Sequence, residues 1–274
     1  MKHISFILFL SFFTYQGNSQ GKLEKAEKSL SKKERRSISN SRYDNSSSDS
    51  ENSFVADTFS ELFVSIFWGI TYGLVFETPI EKEYGASDAS ITKYPYYNKT
   101  KGNYSYEWGD DTEIFRTTIS NRFIAENGKL YGNHFNGEIW FLKRISLEGD
   151  YLQLWEENTN FGDNSLAMYT ALVKYHRVRT ELFNAWWGIG AAYVDGEVDE
   201  LGFTYGLGAE LFFAKPLSVE TVFNQTFINN RTVNKFTGTL NYHVNRYKIS
   251  GGYEHLKIGN QDFSMFSIGA GISF

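Results

Sequence analysis

From Phe263 to Phe274 the chain reads FSMFSIGAGISF, with Phe266, Ile268, Ala270, Ile272 and Phe274 on alternate positions. Small residues, Ser267, Gly269, Gly271 and Ser273, stand between them. A period of two is that of a strand with one apolar face. The same alternation sets Tyr169, Ala171, Val173 and Tyr175 against Thr170, Leu172, Lys174 and His176. It also sets Phe203, Tyr205, Leu207, Ala209, Leu211 and Phe213 against Thr204, Gly206, Gly208 and Glu210. Phe236, Leu240, Tyr242 and Val244 oppose Thr237, Thr239, Asn241 and His243 in the same way. Runs of this kind predict strands over 113–125, 133–142, 145–156, 166–179, 181–193, 202–214, 217–228, 235–245, 246–257 and 263–274. Each is long enough for a tilted strand to cross a bilayer, which takes about 9–11 residues.

The connections add a second pattern. Very short ones fall at 143–144, 180–181, 215–216 and 245–246, and longer ones are expected at 126–132, 157–165, 194–201, 229–234 and 258–262. Tight turns at one end and longer loops at the other are the habit of transmembrane barrels, periplasmic and extracellular respectively. In hydrocarbon an unpaired backbone group costs several kcal/mol, so a spanning sheet has to close on itself. Ten strands then bring the first and last together and put both chain ends of the barrel on the tight-turn side. The competing arrangement is a soluble β-sandwich. It accounts for alternation, but poorly for strands this long with so many Phe and Tyr on one face.

Ahead of residue 112 the pattern changes. Residues 1–19 carry Lys2, an apolar stretch Ile4 to Phe13, and Gly17 and Ser19 placed for cleavage before Gln20, which reads as a secretory signal peptide. The alternative, an N-terminal anchor, has too short an apolar run. Residues 20–36 hold seven basic and three acidic side chains, and residues 37–53 hold eight serines, so 20–53 is expected to be a disordered, basic then Ser-rich arm. Residues 54–78 fit an amphipathic helix, with Thr58 and Glu61 as a capping box and Phe59, Leu62, Phe63, Ile66, Phe67, Ile70 and Leu74 on one face. A strand alternating from Val64 to Phe76 also fits, but an eleventh strand breaks the parity of the barrel. Residues 79–111 are expected to be an irregular connection with one short strand near Tyr104–Trp108. A twelve-strand barrel requires both of these segments as strands. The barrel proper is expected over 112–274.

Composition narrows the class. Aromatic residues make up 18 % of the chain while mean hydropathy is only −0.39, as expected if apolar side chains alternate with polar ones. Three prolines agree with long uninterrupted strands. The absence of cysteine excludes disulfides, thiolate chemistry and a lipidated N-terminal cysteine. Residues 20–36 carry a net +4 and residues 37–274 a net −10. The only basic tract is this leader, so nothing supports nucleic-acid binding.

The leader, the alternating strands and the terminal SIGAGISF together resemble bacterial outer-membrane β-barrel proteins. The resemblance covers residues 1–19 and about 113–274, and names no functional subfamily. It implies export to the cell outer membrane and contact with outer-membrane lipid. It also implies that Phe266, Ile268, Ala270, Ile272 and Phe274 form the C-terminal signal read by the barrel-assembly machinery. The fold expected is thus an all-β, roughly ten-stranded antiparallel transmembrane barrel with an N-terminal amphipathic helix and a disordered arm.

If the apolar faces meet lipid, the inward side includes Arg116, Ser120, Arg122, Glu138, Glu148, Asp150, Lys174, His176, Glu210, Glu220, His243 and Glu254. Opposed charges in a narrow barrel favour a lumen filled by paired side chains. His176 or His243 with a nearby carboxylate would be the general base of an enzyme cleaving lipid acyl chains or peptides. No G-x-S-x-G and no H-E-x-x-H occurs, so no catalytic, cofactor-binding or metal residue is assigned and no cofactor is expected. Inward Trp140, Trp186 and Phe212 count against a diffusion channel. Acids on the longer loops (Glu156, Glu157, Asp163, Asp195, Glu197, Asp199, Glu200) fit a solvated rim or a divalent-cation bridge to lipopolysaccharide. Glycines in YGLGAE read as packing positions. The function expected is structural, adhesive or partner-docking, with residues 20–77 available to a periplasmic partner. Enzyme and narrow channel are the alternatives, in that order.

Overall fold

A computed structural model describes residues 21–31, 88–107, 109, 112–113, 115–157, 163–196, 199–229 and 231–274. The expected signal peptide and the helix expected over 54–78 lie outside these residues.

Three short strands, β1 (Ser90–Thr92), β2 (Tyr104–Ser105) and β3 (Thr112–Glu113), form a small antiparallel sheet in the order β2-β1-β3. The connection expected to be irregular thus holds two of these strands, β1 and β2, while β3 lies at the expected start of the barrel, and none of the three enters the main wall. That wall is ten antiparallel strands. They are β4 (Arg116–Ala125), β5 (Leu130–Trp140), β6 (Ile145–Glu156), β7 (Asn164–Arg179), β8 (Phe183–Asp195), β9 (Glu200–Ala214), β10 (Leu217–Ile228), β11 (Arg231–Val244), β12 (Tyr247–Ile258) and β13 (Gln261–Ser273). Each pairs with its neighbours in sequence, and β13 pairs with β4, so the sheet closes. The closing seam runs in register from Phe266 opposite Ala125 to Ser273 opposite Thr118. Beyond it, the Phe274 N–H donates to Thr117 O at 2.8 Å and Thr117 N–H donates to Phe274 O at 3.2 Å. The last residue is therefore part of the seam, which leaves no unpaired edge in the hydrocarbon zone.

The turns correct one expectation. Connections at the tight-turn end are 141–144, 180–182, 215–216 and 245–246. At the other end they are 126–129, 157–163, 196–199, 229–230 and 259–260. The last two were expected to be longer loops and are two-residue turns. Asn229 (φ 47°) and Gly259 (φ 57°) adopt the left-handed conformation such turns require, as Asn245 (φ 52°) does at the opposite end. The strands outrun their apolar pattern because, past the hydrocarbon, the backbone ladder continues where neither face has to be apolar. The contrast between the ends now rests mainly on 157–163, and that end is called the loop end below.

A second correction concerns the arm. Within it, Lys22–Ser31 forms a helix, α1. Leu23, Ala26, Glu27 and Leu30 are buried, at the i, i+3, i+4, i+7 spacing of one helical stripe. Ten residues make a marginal helix in water. The stripe persists because the barrel supplies an apolar surface for it, and fully burying Leu23 and Leu30 contributes about 1.5–3 kcal/mol each. Glu24 in the first turn and Lys28 in the last complement the helix dipole.

Candidate functional site

The outer face of the wall is apolar. Phe123, Ile139, Leu147, Val173, Ile189, Phe203, Leu207, Leu240, Phe266 and Ile268 all project outward and are exposed. The inner face carries the charges. Arg116, Arg122, Glu148, Asp150, Lys174 and Glu254 are buried, and every inward residue expected from the alternation is on the lumen side. A water-soluble domain has the opposite polarity, and a closed wall with charges inside and phenylalanine outside is built for hydrocarbon. The protein is an outer-membrane β-barrel. Its localisation is the outer membrane, with lipid around the wall.

No family model matches the chain, and neither does any curated protein. Among solved structures, the barrel is similar to the outer membrane protein Ail of Yersinia pestis in a phospholipid nanodisc. That match has 15 % identity, covers 58 % of this chain and 99 % of Ail, and has a TM-score of 0.34. An outer-membrane channel from Pseudomonas putida F1 matches at 10 % identity over 61 % of this chain and 99 % of the channel, with a TM-score of 0.38. Neisserial surface protein A matches at 15 % identity, covering 59 % and 98 %, with a TM-score of 0.29. These likenesses concern the barrel alone.

The interior of the outer-membrane barrel is stacked in three layers. At the loop end, Ile124, Leu130, Leu152, Leu154, Leu166, Met168, Val194, Ile228, Val233, Leu256, Ile258, Phe263 and Met265 line an apolar cup. Helix α1 lies in this cup with Leu23, Ala26 and Leu30 against the wall. Its start is held electrostatically: the N–H groups of Lys22 and Leu23 donate to the two oxygens of Glu156 at 3.1 and 2.9 Å. Lys22 Nζ also donates to Glu126 at 2.9 Å. Glu156, read as a loop acid, is in fact the carboxylate that caps α1. Among the described residues no cluster of His, Asp or Glu is arranged to hold a metal ion.

The middle layer is a charge network. Arg122 Nε donates to Glu254 Oε1 at 2.8 Å, and His134 bridges Glu254 and Asp150 with one ring nitrogen 2.5 Å from each. Lys235 donates to the other Asp150 oxygen. Lys174 pairs with Glu148, lies 3.4 Å from Glu138, and sits over the Trp186 ring at 4.0 Å from its centroid. The indole has room because the facing position is glycine: a Cβ at Gly208 would lie 2.3 Å from Trp186 Cε2.

The layer at the tight-turn end contains both candidate bases. Ser146 Oγ lies 2.8 Å from His176 Nε2, and Asn184 Oδ1 lies 3.1 Å from His176 Nδ1. Ser218 Oγ lies 2.8 Å from His243 Nε2. Each serine, however, donates to a carboxylate: Ser146 to Glu138 at 2.5 Å and Ser218 to Glu210 at 2.8 Å. Both hydroxyls are fully buried, and the Trp140 ring stacks on His176 with centroids 3.7 Å apart. Such a serine shows its oxygen to no substrate, and its hydroxyl hydrogen is already donated in a hydrogen bond to a glutamate. The segment 88–107 completes the layer. Asn103 Nδ2 donates to Glu210 at 2.8 Å and Arg179 donates to Ala89 O. Burial, reinforced by Glu210, pushes the Tyr96 phenol up to about 12, and burial also raises that of Tyr104. Both phenols therefore act as hydrogen-bond donors, never as bases, at physiological pH.

Sequence reasoning omitted His134 and Lys235 from the inward set. The signal was available, because His134 shares the parity of Glu138 and Trp140, and Lys235 that of Thr237 and Thr239.

Proposed function

We propose that this is a sealed, non-enzymatic outer-membrane barrel of structural, adhesive or partner-docking type. The observation that carries this reading is the continuous filling of the lumen: helix and cup, then ion network, then the 88–107 segment. The loop end faces outward and the tight-turn end the periplasm, and β13 with Phe274 serves as the tag for the barrel-assembly machinery. Of the 20–77 segment read as open to a periplasmic partner, α1 is spent on the loop-end mouth, which leaves residues 32–77, outside the described residues. The buried serines and stacked His176 weigh against an enzyme acting on acyl chains or peptides. Conductance across a planar bilayer tests the reading. Purified full-length protein is expected to give no stable open steps, and reproducible steps of fixed size contradict a sealed lumen and favour a channel.

A further inference from the structure

One group in the tight-turn layer breaks the pairing that holds elsewhere. A cavity of about 50 Å³ opens at that end, lined among others by Asn103, Arg116, Glu210, Glu220, His243 and Lys248. It has room for about three or four waters, or for one small polyatomic ion. The acids on its wall all have partners. Glu138 is held by Ser146 and Lys174, Glu210 by Ser218 and Asn103, and Glu220 by Lys248 at 3.8 Å.

Arg116 is different. It is only 3 % exposed, yet among the described residues no carboxylate lies within ion-pair distance of its guanidinium. Its Nη1 donates to Thr92 O at 3.2 Å and its face lies 5.0 Å from the Trp140 centroid, while Nε has no partner. Asn103, also 3 % exposed, has an unpartnered Oδ1 on the same cavity. A buried cation without a counter-charge carries a heavy desolvation penalty. The planar guanidinium fork matches two oxygens of an oxyanion.

We infer that this cavity binds a phosphate-type oxyanion on Arg116. A singly protonated phosphate group offers acceptors to Arg116 and a donor to Asn103 Oδ1, satisfying both orphaned atoms. Lys248, held only loosely by Glu220, and Arg246 are the other cationic residues on its wall. The inference does not rest on the sealed-lumen reading, since the cavity opens at the tight-turn mouth and reaches the middle layer only at Glu138 and Trp186.

The test is urea unfolding of the full-length protein in detergent, with inorganic phosphate or glycerol phosphate replacing chloride at constant ionic strength. A ligand bound by the folded state alone raises the midpoint with its concentration. Wild type is expected to show that rise, Arg116→Gln to lose it, and Lys248→Gln to need several-fold more phosphate. A rise with both probes identifies a recognised phosphoryl group open on one side. A rise with inorganic phosphate alone identifies the free ion. A flat wild type, or a rise that survives Arg116→Gln, overturns the proposal. Should Arg116→Gln fail to fold, Asn103→Ala, outside the barrel wall, is expected to weaken the same response several-fold, and an unchanged response overturns it.

Discussion

Asp150 receives His134 of the neighbouring strand on one oxygen and, across the lumen, Lys235 of β11 on the other. Removing its charge leaves two nitrogen groups buried against each other. Asp150→Asn is therefore expected to cost about 3–5 kcal/mol, the range for breaking a buried pair, read as a lower urea midpoint in detergent. Exchanging Asp150 and Lys235 together for apolar residues of similar size should recover much of that loss. The glycines make a second residue-scale case. Gly208→Val drives a side chain into the Trp186 indole and is expected to cost about 1–3 kcal/mol. Gly137→Val, at a position with nothing within 4 Å, should leave the midpoint unchanged. The alternation revealed which residues turn inward, including Arg116, Glu148 and Glu254. It did not reveal who pairs with whom, because Arg122, His134, Asp150, Lys235 and Glu254 meet only when five separate strands curl round one axis.

At the scale of elements, the ten wall strands were legible because lipid enforces one apolar face along each of them. The turns at 229–230 and 259–260 were not. Their flanks, Arg231 to Asn234 and Gln261 to Asp262, are polar except for Val233, which reads as loop although the backbone is fully paired. Helix α1 was hidden for the opposite reason. Only Leu23, Ala26 and Leu30 are apolar in it, and the surface that makes it a helix comes from wall strands far along the chain, from Ile124 onward. Leu152 with Tyr151, and Leu154 with Trp155, were the available hint: both faces of β6 turn apolar toward the loop end, so the lumen there had to be greasy. Docking makes a prediction. In the wild-type protein trypsin is expected to spare Lys25 and Lys28, whose backbone is held in the helix. With Leu23→Asp and Leu30→Asp combined, mass spectrometry should find rapid cleavage after both lysines. Equal cleavage in the two proteins contradicts a docked α1.

For the whole molecule, two surfaces have to be dry for different reasons: the outside because hydrocarbon covers it, the inside because side chains and α1 fill it. The chain has no cysteine, so single cysteines are clean reporters. Placing them one at a time across residues 236–241 in the middle of β11, in outer membranes, and adding a membrane-impermeant maleimide tests both surfaces together. No position is expected to react until the protein is unfolded. Reaction at 237, 239 and 241 alone would mean a water-filled lumen, and reaction at 236 and 240 alone would mean that the apolar face meets water and not lipid.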